Sequence, residues 1–198
     1  MVDPVGELKT RAEILHTRVA SGDVEARARL RALPELARAD GEVLAEAAGR
    51  MRRKHCLAVV AREHGFTTWE QAQRVLRGDA RELDFGTLLC GKNASGSLNM
   101  WFVDYGQARA HLDETRAQGL RRYLLAYRKQ FFVVERLFVE TTLELDPDDA
   151  DWEAIEYDWV RPRVPVARQR LYAKRLDALR GGTRPDLNDS DPPRHSMP

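Results

Sequence analysis

Cysteine is almost missing from this chain: Cys56 and Cys90 are its only two among 198 residues. Two thiols cannot build the disulfide framework that stabilises small secreted domains, so a reducing, cytoplasmic setting is expected. Long apolar runs are lacking too. None approaches the roughly 20 residues that a membrane-spanning helix needs, so no membrane partner is expected. The opening MVDPVGELKT has no basic start leading into an apolar stretch, which argues against a secretory signal. Charge of one sign is also lacking. The formal net charge is +1, so the whole molecule exerts no pull on nucleic acid or anionic lipid, and such binding would need a local patch. No internal repeat is found, and no stretch carries a specific catalytic, metal-binding or nucleotide-binding motif.

What is present is a globular balance: 43% hydrophobic, 32% charged and 8% aromatic residues. The pattern of these residues changes near position 84. Residues 5 to about 80 follow the helical period almost throughout. Leu8, Ala12, Leu15 and Val19 share a face, Ser21-Gly22 ends that segment, and Asp23 caps the next one. Pro34 interrupts it, and a third segment after Asp40-Gly41 carries Val43, Leu44, Ala47 and Ala48. Leu57, Val60 and Ala61 mark a fourth helix that Gly65 stops. Thr67-Thr68-Trp69-Glu70 reads as a capping box with Glu70 reaching back, opening a helix with Trp69, Ala72, Val75 and Leu76 inward. These last two helices should pack as a hairpin.

From Asp84 onward short strands are expected among helices. FGTLLC (85–90) reads as a strand, GKNASGS as a loop, and LNMWFV as an apolar run of strand or buried helix. Asp104-Tyr105-Gly106-Gln107 opens a helix with Ala108, His111 and Leu112 inward. RRYLLAY and QFFVV, linked by Arg128-Lys129, form an antiparallel hairpin, and a helix follows at about 135–143. Asp146-Pro147-Asp148-Asp149 reads as a helix start that buries Trp152, Ile155 and Trp159. The last helix uses Ala167, Leu171, Tyr172, Leu176 and Leu179. The expected fold class is α+β: an all-helical bundle over 1–83, a small α+β domain with a short antiparallel sheet over 84–180, and a disordered tail over 181–198.

Two stretches resemble known families. Ser21-Gly22-Asp23 with ARARLRAL after it, and LAVVAREHGFTTW at 57–69, resemble the helical module that precedes the repeats of bacterial ankyrin-repeat proteins. The repeats themselves are missing, since no Thr-Pro-Leu-His occurs. LNMWF, QFFV, and the runs Leu145–Asp149 and Asp158–Pro162 are similar to an uncharacterised bacterial family. That resemblance implies a real domain and no particular activity.

Three functional readings compete. The first is a non-catalytic binding or adaptor protein for a protein or small-molecule ligand. Its surface would run from the 91–97 loop, with Lys92, Asn93 and Ser95, to Trp101, Tyr105, Tyr123, Tyr127 and Lys129. Backbone freedom, a cation and hydroxyls in that loop suit a phosphate, although the lysine precedes the second glycine, unlike a P-loop. The second is a nucleic-acid-binding regulator whose 55–77 hairpin works as a helix-turn-helix, at spacings similar to AraC-type regulators. Thr68, Gln71 and Arg74 would face a groove, and Arg52, Arg53 and Lys54 the phosphates. Glu63 and Glu70 in the same unit oppose this. The third is an enzyme with Cys90 activated beside Lys92 and His111 as base. No cofactor and no metal are expected: His55, Cys56, His64 and Cys90 lack zinc spacing. Acidic residues crowd 144–158 and basic ones 161–175, and they should neutralise each other across the Val160-Arg161-Pro162 corner.

Overall fold

The computed structural model describes residues 3–79, 81–90 and 99–181. The expectations for the 91–97 loop, including Lys92, Asn93 and Ser95, and for the tail beyond 181 lie outside these residues.

The fold is α+β, a helical assembly joined to a three-stranded antiparallel sheet. Helix α1 (Pro4–Ala20) starts on Asp3, whose carboxylate accepts the Val5 amide, and buries Leu8, Ala12, Leu15 and Val19. Asp23 caps α2 (Val24–Ala28), and Pro34 is followed by a short 3₁₀ turn instead of a continuing helix. Helix α3 (Gly41–Ala48) buries Leu44 and Ala48 but leaves Val43 exposed. Helix α4 (Arg53–Glu63) packs against α1. Gly65, at φ +83°, turns the chain toward α5 (Trp69–Arg77). The cap of α5 is Thr68, one residue later than the spacing suggests, and the reciprocal bond goes to the residue before it. Thr68 Oγ1 accepts the Gln71 amide at 3.1 Å, and Gln71 Oε1 accepts the Thr67 amide at 2.7 Å, so Gln71 takes the part assigned to Glu70.

The segment 85–90 is not a strand. Its main chain is used elsewhere: the Phe85 amide donates to Arg128 O (2.8 Å), the Arg128 amide to Gly86 O (2.7 Å) and the Thr87 amide to Gly65 O (2.8 Å). These bonds tie the α4–α5 corner to the tip of the hairpin, and the remaining residues turn. Strand β1 (Met100–Phe102) pairs with β3 (Gln130–Val134), which pairs with β2 (Tyr123–Tyr127), giving the order β1-β3-β2. Helix α6 (Tyr105–Ala117) lies between β1 and β2 in the chain, capped by Asp104 through the Gln107 amide. After β3 come α7 (Arg136–Thr141), α8 (Ala150–Ala154) and α9 (Pro165–Gly181).

Opposed residues of antiparallel strands share a face. Trp101, Phe132 and Leu125 therefore line one side, and Met100, Val133 and Leu124 the other. The first side joins a core that includes Leu8 of α1, Val60 of α4, Leu76 of α5 and Leu171 of α9. The apolar core thus runs across position 84 from the helical stretch into the sheet. The second side packs on Ala108 and Leu112 of α6. Trp152, Trp159, Tyr123 and Tyr172 are fully buried and meet mostly edge to face, the arrangement that ring quadrupoles favour.

Helix α9 has two kinds of arginine. Arg170 and Lys174 face outward and pair with Asp151 and Asp149, as the neighbouring acidic and basic runs suggest. Arg168 and Arg175, at i and i+7 with Leu171 and Tyr172 between them, point inward and are 6% and 4% exposed. Arg168 Nη1 donates to Trp159 O and Val160 O (3.0 Å each), and Arg175 Nη1 to Leu143 O (2.7 Å). Gly78 caps α5 at φ +77° directly beside Arg168, where an added Cβ would collide with the guanidinium. Among the described residues no helix is long and apolar enough to cross a membrane.

Arg175→Met should leave buried carbonyls without a donor and cost about 2–4 kcal/mol. Arg170→Met, which leaves the buried Asp151 carboxylate paired to Lys174, should cost less, about 1–2 kcal/mol. Urea unfolding of the two variants checks the order. For Asp151, burial pushes the carboxyl up, but hydrogen bonds from Arg170 and Lys174 outweigh it and hold the group below its ordinary value. A lowered carboxyl stabilises the fold above its unfolded-state value and loses that contribution as the pH falls through the folded one. Asp151→Asn should therefore flatten the acid limb of stability below about pH 4, measured by denaturation at several pH values.

Candidate functional site

The tyrosines and the tryptophan expected to share one surface do not all meet. Trp101 and Tyr127 do meet. Their rings lie 5.8 Å apart, edge to face, and Trp101 stacks on Phe132 at 4.7 Å. Trp101 belongs to the short edge strand, no element among the described residues covers its outer side, and it stands 45% exposed. Met100 and Val103 beside it are exposed as well. Arg128, at φ 51° in the two-residue turn, sets its guanidinium 5.5 Å from the Tyr127 ring centre, a cation–π contact. Lys129 is exposed in the same turn. The turn itself is held by the Phe85 and Gly86 main chain, so the aromatic pair and its two cations sit on a fixed support.

Tyr123 is not at this surface. It is fully buried, its ring packs on Trp152 and Tyr157, and its hydroxyl donates to Pro147 O at 2.8 Å. Tyr105 lies on the opposite side of the sheet, edge to face with Phe131 at 5.8 Å. Its hydroxyl donates to Asp158 Oδ2 at 2.7 Å.

Asp158 centres a polar cluster that sequence reading did not single out. The side chain is fully buried. Besides Tyr105, Oδ2 accepts Arg109 Nη1 (3.2 Å), and Oδ1 accepts the amides of Val160 and Arg161 (2.9 Å each). Arg161 lays its guanidinium over the Tyr105 ring at 4.1 Å. Burial, then the Asp158 hydrogen bond, push the Tyr105 hydroxyl well above its ordinary range. The hydrogen bonds that Arg109 donates to Asp113 and Asp158 hold its guanidinium charged. The carboxylate is fully engaged by the protein's own donors and supports the corner that follows Glu156 and Tyr157, both at positive φ. One signal was present in the sequence: an aspartate set between two aromatics, with Tyr105 and Arg109 four apart on one helix face.

The residues expected to read a nucleic-acid groove are occupied by the chain itself. Gln71 is buried, accepts from Thr67 and donates to Asp84 O (3.0 Å). Thr68 caps α5. Arg74 pairs with Glu82 (2.7 Å). The exposed row of α5 lines a shallow groove of about 440 Å³ in which Glu70 and Asp79 balance Arg74 and Arg77. Arg52, Arg53 and Lys54 are exposed at the start of α4, with Arg53 3.8 Å from Glu13. A second groove of about 410 Å³, between α1 and α9, is walled by internally paired charges, Glu7 with Arg11 and Arg180 among them.

Cys90 and His111 are not brought together. Cys90 packs on the core beside the inner face of the sheet, and His111 lies against Phe102 on the outer face (5.5 Å). Burial pushes the Cys90 thiol up to about 11. Roughly one molecule in ten thousand then carries a thiolate at neutral pH, the reverse of an activated nucleophile. Among the described residues no group of His, Cys, Asp and Glu side chains could hold a metal.

Asp158→Ala should cost about 3–5 kcal/mol, since it leaves the Tyr105 hydroxyl and two main-chain amides without their acceptor, while Tyr105→Phe should cost about 1 kcal/mol. Equilibrium unfolding measures both, and a loss below about 1 kcal/mol for Asp158→Ala would remove this cluster's role in the corner. Compared with known proteins, the chain matches no family model, no curated protein and no solved structure.

Proposed function

We propose that this protein is a binding or adaptor module with no chemistry of its own, and that its contact surface is the Trp101–Tyr127 end of the sheet. The observation that carries the reading is Trp101: a large aromatic side chain, stacked on a buried ring yet 45% exposed, in a strand with no neighbour beyond it among the described residues. Tryptophan held rigid at a surface loses little entropy on binding and offers a large apolar area, which is why it dominates interface hot spots. The fixed hairpin turn adds two cations next to it. Elsewhere the titratable groups with strong perturbation support the fold: Tyr105 and Arg109 converge on Asp158, and Cys90 is a protonated thiol.

The nucleic-acid reading has less support. Gln71 is committed inside the chain, and the exposed row of α5 is nearly charge-balanced.

A photoreactive phenylalanine at position 101 or 127 of the full chain should cross-link the same cellular partner, and one at exposed Leu137 should not. Trp101→Ala should lower Tm by less than about 5 °C, as expected for a half-exposed side chain in a chain of this size. Cross-links that do not distinguish position 101 from position 137 would end this reading.

A further inference from the structure

The two outer edges of the sheet are treated differently. The free side of β2 is covered: the Leu124 amide donates to Tyr157 O (2.8 Å), and the Trp159 amide to Leu124 O (3.0 Å), an isolated parallel bridge to the 157–159 segment. Strand β1 has main-chain pairing to β3 alone among the described residues. Proteins guard such edges with charges, proline or bulges. Met100, Trp101, Phe102 and the following Val103 include no charge and no proline, and three of the four are exposed.

The charges nearby point to the occupant. In this half of the chain Arg109, Arg121, Arg122, Arg136, Arg163 and Arg170 each lie within ion-pair distance of a carboxylate. Arg128 and Lys129, in the turn that adjoins Trp101 and Tyr127, have no such carboxylate among the described residues. An open row of peptide donors and acceptors, a half-exposed indole and two uncompensated cations are complementary to an extended peptide with apolar and acidic side chains.

We propose that β1 is a strand-docking site for an extended acidic segment of a partner protein. The segment hydrogen-bonds along Met100–Phe102, lays an apolar side chain on Trp101, and directs carboxylates to Lys129 and Arg128. The inference rests on the binding reading above and names the partner's chemistry. A single nucleic-acid strand would match the cations and the indole but not the row of peptide donors and acceptors along the edge.

Tryptophan emission of the full chain tests this directly, using an alternating glutamate–valine peptide, its lysine–valine counterpart and oligothymidylate. The glutamate–valine peptide should shift the emission saturably and the lysine–valine peptide should not. Trp101→Phe should abolish the shift. Arg128→Glu with Lys129→Glu, or Met100→Glu, which puts a carboxylate on the edge at an exposed position, should weaken binding about tenfold or more. Far-ultraviolet dichroism identifies any variant that has lost the fold. Equal binding of both peptides, binding of oligothymidylate alone, or an unaltered titration in Trp101→Phe would overturn the proposal. So would a dimer that Met100→Glu dissociates, since the edge would then serve a second copy. If position 101 still cross-links a partner while the glutamate–valine peptide does not bind, this inference falls and the binding reading stands. If neither is seen, both fall.

Discussion

The arrangement of the second half depends on guanidinium groups that give their hydrogen bonds to main-chain carbonyls inside the protein. Arg168 holds Trp159 O and Val160 O, Arg175 holds Leu143 O, and Arg11 reaches Leu176 O at 2.6 Å from α1. The oxygens of Trp159, Val160 and Leu143 lie in irregular segments, where no ladder supplies a donor. A buried polar group without a partner is costly, so chain that lacks regular structure can enter a core only if side chains supply the missing donors. An arginine suits this task because its planar head carries several donors and stays charged.

This chemistry explains why one core can run through both stretches of chain. Helix α9 packs on α1 and α5 on one side and contacts α8 on the other. Its inward arginines fix the loops that carry Leu143 and Trp159. Those loops then place Asp158 under α6 and cover the free side of β2. The edge of β1, unpaired among the described residues, follows from this sequence of placements: the 157–159 segment covers one side of the sheet and not the other.

Much of the fold was legible from residue pattern. The faces of α1 and α9, the cap at Asp104, the hairpin at 123–134 and the burial of Trp152 and Trp159 follow from periodicity, capping chemistry and short linkers. Other features were not legible, for physical reasons. FGTLLC has the composition of a strand, but its amides are taken by Gly65 and Arg128, partners far away in sequence. Arg168 and Arg175 look like solvent residues because arginine usually is one, and only the carbonyls they meet make them interior. In the candidate site, the sequence grouped Trp101 and Tyr127 on one broad surface, and the pairing of both their strands with β3, a contact between distant positions, is what brings the two rings together. The separation of Tyr105 was not legible, because it begins a helix on the opposite side of the sheet.

The two-residue tip at Arg128-Lys129 has the look of a place to lengthen a loop freely, as hairpin ends often are. Here the Arg128 amide and carbonyl are both engaged by Gly86 and Phe85, and Gly86 in turn lies tight against Gly65 and Phe66. An inserted residue would pull the corner between α4 and α5 out of place along with the sheet. The tip therefore acts as a joint between the helices and the strands, and peptide tags or grafted loops belong elsewhere on the molecule.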